Sequence, residues 1–287
     1  MSYYKVLGFN KEPFSTSPDP TFFYMAKDHQ VALFNTIIEL RLKRGLSVIL
    51  GDVGTGKTTL SRKLIQELSN REDFIFHIVL DPSFEDERSF LEYLTRNYGI
   101  PYPAEANIMF LKETLEKFLF QKGVVENKTV VLIVDEAQKL SEVSLEMMRI
   151  LLNYETNEFK LFQLVLLGQL ELHAKILNIP NFLDRISFKY TLNPLSFEET
   201  QEMIEFRIRQ AGYTSTMHLF LDEAVEEIYS YTKGYPRRIT MLCHFALKEL
   251  IIKKKVVVDR NLIKEIIKNE VKSGWLNLTP QLQNENY

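Results

Sequence analysis

Leu46-Ser-Val-Ile-Leu-Gly51-Asp-Val-Gly-Thr-Gly-Lys57-Thr58-Thr59 decides the fold class of this chain. The apolar run 46–50, bounded by Gly45 and Gly51, predicts a short buried strand. The residues after it fit G-x-x-x-x-G-K-[ST], the P-loop pattern, with a helix expected over 57–68. Glycines let main-chain N–H groups curl around phosphate oxygens with no Cβ in the way. The partly positive start of the following helix points at the same oxygens. Gly51, Asp52, Val53, Gly54, Thr55, Gly56, Lys57, Thr58 and Thr59 are therefore the candidate nucleotide-contacting residues. Lys57 offers a charge to the outer phosphates, and the Thr58 hydroxyl is a ligand for Mg²⁺.

Outward from the loop, short apolar runs alternate with helical periodicity. Strands are expected over 74–80, 130–134, 162–167 and 188–192, and helices over 28–44, 87–97, 108–120 and 143–154. In the 28–44 helix, Val31, Phe34, Ile37, Ile38 and Leu42 recur at helical spacing. This order predicts an α/β fold with a mostly parallel sheet covered on both faces. After Pro194 the strands stop, and 197–210, 222–232, 238–252 and 260–272 read as helices. Ser196 with Glu199 forms a capping box, and Asp222 and Asp259 are expected N-caps. The reading divides the chain into an arm over 1–27, an α/β core over 28–193, a helical domain over 194–274 and a polar tail over 275–287. Pro13, Pro18 and Pro20 prevent a continuous helix in the arm, while its many aromatics argue for order. The arm is expected to pack onto the domain that follows it.

The strand 130–134 ends in Asp135-Glu136. Asp135 is placed to hold Mg²⁺ through water beside Thr58, and Glu136, one residue on, to polarise an attacking water as a general base. A guanine signature is missing, because Asn127-Lys128 continues as Thr129-Val130, so ATP is the expected nucleotide.

Composition narrows the surroundings. Hydrophobic residues at 45% and charged residues at 25% describe a folded chain with a real core. The net charge of −3 argues mildly against a strongly basic nucleic-acid binder. A lone cysteine, Cys243, excludes an internal disulfide or a thiolate zinc cage and favours a reducing compartment. The five histidines have neither H-x-H nor H-E-x-x-H spacing. No signal pattern or membrane-length apolar run is present, which leads to a cytoplasmic expectation.

The whole pattern resembles an AAA+ ATPase of the secretion-ATPase-like family. The likeness rests on Tyr4…Leu7-Gly8-Phe9…Pro13-Phe14…Pro18-Asp19-Pro20…Phe23-Tyr24, on Asp135-Glu136-Ala137-Gln138-Lys139-Leu140, and on Met148–Thr156. It extends through Leu166–Leu172, Tyr190–Leu195 and Gly234-Tyr-Pro-Arg237-Arg238-Ile239. The same core is similar to ATPases that regulate transposition. The resemblance implies a polar sensor at Gln169, an arginine finger at Arg185 that reaches a neighbouring subunit, and a second sensor at Arg237, with Arg238 as its competitor. Tyr24 and His29 would help enclose adenine, and Asn153 and Glu155 would couple ligand binding to the glutamate. It further implies ATP and Mg²⁺ as cofactors and a ring or helical homo-oligomer, with a hexamer among the options. The partner would be secretion or type IV pilus machinery, or DNA on the transposition alternative. Secretion-branch members often carry a membrane segment and a cell-wall-binding module. This sequence holds neither, so attachment at the inner membrane is expected through a partner. Lys253-Lys254-Lys255 reads as a solvated helix end, and Cys243 as a core thiol.

Overall fold

The computed structural model describes residues 3–272. A single helical turn, α1 (Tyr3–Val6), opens the chain, and an irregular aromatic segment follows it. Next come α2 (Lys27–Arg41), β1 (Leu46–Gly51), α3 (Lys57–Ser69), β2 (Phe74–Val79), α4 (Glu87–Asn97) and α5 (Ile108–Phe120). They continue with β3 (Thr129–Val134), α6 (Glu142–Leu151), β4 (Phe162–Gly168), α7 (Glu171–Leu177) and β5 (Ile186–Leu192). The helices α8 (Phe197–Gln210), α9 (Asp222–Thr232), α10 (Pro236–Ile252) and α11 (Arg260–Lys272) complete the described residues. The expected tail over 275–287 lies outside them.

Two compact units result. One is Lys27–Asn193; the other combines residues up to Ala26 with those from Pro194 onward. In the first, five strands pair in the order β2-β3-β4-β1-β5, and each pairing is parallel. Val130, Val131, Leu132, Ile133 and Val134 are all fully buried, as a strand covered on both faces requires. The β1, β3 and β4 ends therefore open on one side of the sheet, at the point where chain order reverses between β1 and β4. Asp86 with Ser89, Asn107 and Ser141 satisfy the first N–H groups of α4, α5 and α6.

Helix α2 corrects an expectation. His29, Ala32, Leu33, Thr36 and Leu40 face inward, whereas Phe34, Ile38 and Leu42 are 60%, 48% and 50% exposed. Leu33 and Leu40, with Ala32 and Thr36, make the buried face, and Phe34, Ile38 and Leu42 form a second apolar stripe outside. Also unanticipated is α7, which starts two residues after Gln169.

The second unit has its own core, in which Phe9, Phe14, Phe22 and Ala26 of the arm join Leu195, Met203, Ile204, Ile208, Phe220, Ile228 and Leu247. The expected packing of the arm onto the domain that follows it is thus overturned: its aromatics are buried among helices that arrive much later in the chain. Each buried phenylalanine contributes about 2 kcal/mol of transfer free energy. Arg207 on α8 fixes the arm further, donating Nε to the Pro13 carbonyl and Nη2 to the Ser15 carbonyl, both at 2.8 Å. Its guanidinium lies 5.9 Å from the Phe14 ring centre and 5.7 Å from that of Phe22. Burial pushes it down to about 10.

The Ser196–Glu199 capping box forms as expected at the start of α8. Leu221 rather than Asp222 occupies the N-cap of α9, so Asp222 acts from the first turn. At the other end of α9, Gly234 has φ +77°, and a Cβ there would lie 2.0 Å from the Leu195 carbonyl oxygen. Only glycine permits that approach, across which the Leu195 N–H donates to the Gly234 carbonyl at 2.9 Å. Among the described residues, no helix is long and apolar enough to cross a membrane.

Candidate functional site

The loop after β1 is built on positive φ angles, +86° at Gly54 and +101° at Gly56. Gly56 caps α3 and has no side-chain acceptor to offer the first turn of that helix. A Cβ on Gly51 would come within 2.7 Å of Thr55 Oγ1. The main chain can hold this curl because no side chain fills it, and such a cradle fits phosphate oxygens. Thr55 is buried, and its hydroxyl donates to the Asp52 carbonyl at 2.9 Å. Beneath the loop, buried His29 donates Nε2–H to the Thr55 carbonyl at 2.8 Å. His29 thus braces the loop from below, a role its place in the sequence did not disclose.

Lys57 is 6% exposed, and its ammonium donates to the carbonyls of Gly51 at 2.6 Å and Asp52 at 2.9 Å. Burial pushes its pKa down, opposed by the carboxylates of Glu136, Asp135, Asp52 and Glu171. Thr58 and Thr59 follow on the half-buried first turn of α3, and Val53 is exposed at the tip of the loop.

At the end of β3, Asp135 is 2% exposed and accepts hydrogen bonds from the Thr58 hydroxyl and from the Glu136 N–H at 3.0 Å. Burial pushes its carboxyl up. Those two hydrogen bonds and Lys57 oppose that shift, while the charge of Glu136 reinforces it. The structure therefore brings Thr58, Asp135, Lys57 and Glu136 together. A hydroxyl and a carboxylate in hydrogen-bond contact are hard oxygen donors, a set suited to Mg²⁺ shared with phosphates. Glu136 adopts the left-handed conformation (φ +53°, ψ +36°), which costs a non-glycine residue on the order of 1 kcal/mol and tends to occur at working sites. Its Oε2 accepts from Gln138 Nε2 at 2.7 Å.

Gln169 directly follows β4 and donates its N–H to Gln138 Oε1 at 3.0 Å. Arg185 ends a turn of 3₁₀ helix and is half-buried, and among the described residues no ion pair joins it to Asp184. Arg237 and Arg238 are exposed in the first turn of α10, in the helical unit; Arg238 lies 4.8 Å from the Tyr235 ring centre.

Tyr24 belongs to the helical unit, where its hydroxyl bonds Glu202. Asn153 and Glu155 line a groove of about 620 Å³ with Glu113, Glu116, Phe120 and Tyr154, and no phosphate-loop residue lines it. Cys243 is fully buried, and burial pushes its thiol up. Lys253 pairs with Glu249 and Glu265, and Lys255 with Asp259, as suits a solvated helix end. Among the described residues, no group of three or more His, Cys, Asp or Glu side chains could hold a metal ion.

Residues 40–176 match the family described as an AAA domain. General secretion pathway protein A of Aeromonas hydrophila is 34% identical over 247 residues, covering 85% of this chain and 44% of that protein. The chain spans about half the length of the curated relatives it matches. Among solved structures, the Aeropyrum pernix ORC2 protein in its ADPNP-ADP complexes superposes with a TM-score of 0.65 at 17% identity, over 90% of this chain and 71% of that one. The Thermotoga maritima RuvB Holliday junction branch migration motor gives 0.57 at 15%, over 87% and 73%. At such identities the structural likeness speaks for the fold alone. Together with the P-loop and the carboxylates that face it, these matches establish that the chain belongs to the AAA+ family of P-loop proteins and is related to general secretion pathway protein A.

Proposed function

We propose that this chain hydrolyses ATP to ADP and phosphate, and that it uses the reaction to drive or switch assembly of a secretion or type IV pilus-type apparatus. The observation that carries the hydrolytic reading is the meeting of Thr58, Asp135, Lys57 and Glu136 at the ends of two strands of one sheet. The loop N–H groups of 51–56 and the Lys57 ammonium bind the phosphates. For Lys57 this means exchanging the carbonyls of Gly51 and Asp52 for phosphate oxygens. Thr58 and Asp135 would hold Mg²⁺, which supplies charge neutralisation across the outer phosphates.

Glu136 takes a proton from water as the water oxygen bonds to the γ-phosphorus. The bond from that phosphorus to the bridging oxygen breaks, and ADP departs. Gln169 lies beside this centre as a polar sensor. Arg185 serves the site of a neighbouring copy in a homo-oligomer, and Arg237 is a second nucleotide sensor. The relationship to general secretion pathway protein A supports secretion machinery as the object of the motor and a peripheral place at the inner membrane through a partner.

The test is Glu136→Gln. Turnover should fall by about 10²–10⁴-fold while binding of a fluorescent ATP analogue persists. Unchanged phosphate release would sink the assignment.

A further inference from the structure

Gln138 lies two residues beyond Glu136, in the 3₁₀ turn Ala137–Lys139, and both ends of its amide are in use. Its Oε1 accepts the Gln169 N–H at 3.0 Å, and its Nε2 donates to Glu136 Oε2 at 2.7 Å. Chemistry alone fixes the orientation of the amide. A main-chain N–H can only donate, so it must meet the oxygen, and the NH₂ is left facing the carboxylate.

The turn that carries Gln138 is itself held. Lys175 of α7 donates to the main-chain carbonyls of Gln138 at 2.5 Å and Leu140 at 3.0 Å. Gly168, the last residue of β4, makes the close approach possible. A Cβ there would lie 3.3 Å from the Gln138 nitrogen and 2.8 Å from Leu172 Cδ2. Glu136 sits at positive φ, a conformation that persists only where surrounding structure over-determines it. The Gln138 amide and the Lys175 clamp supply that constraint.

We infer that Gln138 is a positioning residue for hydrolysis: it orients the Glu136 carboxylate toward the attacking water and ties that orientation to the end of β4. A shift of the Gln169 main chain is passed through one rigid amide to the carboxylate, so the β4 end and the general base move together. This inference rests on the ATPase reading above.

The experiment uses the full chain with Q138A, Q138E, E136Q and the Q138A/E136Q double variant. Steady-state ATP turnover, affinity for a fluorescent ATP analogue and thermal melting are measured for each. Q138A should lower kcat by about tenfold or more, with KM and analogue affinity within about twofold. Q138E, which keeps the size but turns the donor into a second carboxylate, should be at least as slow. In the E136Q background, Q138A should add no further loss, because a positioning residue has nothing left to position.

Wild-type kcat in both Q138A and Q138E, beside an inactive E136Q, overturns this inference and leaves the ATPase reading standing. A loss of analogue affinity equal to the loss of kcat also overturns it, since orienting a general base does not alter ground-state binding. A fully active E136Q would instead remove the ATPase reading itself. Should Q138A melt early, the isosteric Q138E carries the comparison.

Discussion

Each unit buries one cation against main-chain carbonyls, and the two do opposite things. In the α/β unit, Lys57 donates to Gly51 and Asp52; in the helical unit, Arg207 donates to Pro13 and Ser15. Lys57 stands beside a glycine loop and within the field of Glu136 and Asp135, so its carbonyl contacts can be exchanged for a ligand. Arg207 is sandwiched near two phenylalanine rings, and the groups it serves are structural. A buried cation on carbonyls is therefore no signature of a site. On the proposed function, what sets Lys57 apart is the company of carboxylates and a glycine loop without side chains to fill it.

Three measurements would break or sharpen that contrast. The largest effect is expected from K57M: affinity for an ATP analogue should fall by about 10²-fold. The unliganded protein should melt within a few degrees of wild type, because water can enter the glycine loop and replace the ammonium on the Gly51 and Asp52 carbonyls. Early melting with binding intact would make Lys57 structural after all. R207M comes next. Leaving the Pro13 and Ser15 carbonyls without their donor should cost about 3 kcal/mol in urea unfolding and expose the arm to protease. A variant as stable as wild type but slow in turnover would reverse the roles of the two cations.

The smallest effect is expected at Asp28, which accepts from the Tyr190 hydroxyl at 2.9 Å and from the Asn193 N–H and Nδ2 at 3.1 and 2.9 Å. Burial pushes its carboxyl up, but the Asn193 and Tyr190 hydrogen bonds outweigh that and hold it below the usual range. A depressed folded-state pKa contributes stability above the unfolded value, and that contribution is lost as pH falls through the folded one. D28N should therefore cost about 1 kcal/mol near neutral pH, solvent screening included, and nothing once the wild-type carboxyl is protonated. A stability difference independent of pH would show that shape, not charge, matters there.

The parts of the site that sequence disclosed are local. Gly51 to Thr58 and Asp135-Glu136 announce themselves because the spacing of glycines and the carboxylates at a strand end need only a few neighbours to be understood. The alternation of strands with helices gave the parallel sheet for the same reason. His29 under Thr55 and Gln138 between Glu136 and Gln169 join residues 26 and 31 positions apart, and no local pattern marks them. Periodicity along α2 is genuine but ambiguous: the helix carries two apolar stripes, and only packing shows that the one with Ala32, Leu33 and Leu40 faces inward. The partner of the arm is not legible in its sequence, because aromatic content signals burial without naming what covers it.

That arm also bears on the order in which the chain can fold. Arg207 meets Pro13 and Ser15 across 194 and 192 positions of sequence. During synthesis, Phe9, Phe14 and Phe22 are made before the α/β unit, yet their partners in the helical unit are made only after it. The helical unit can thus close only after the α/β unit has been made. The entropy of closing that long loop falls on the helical unit alone.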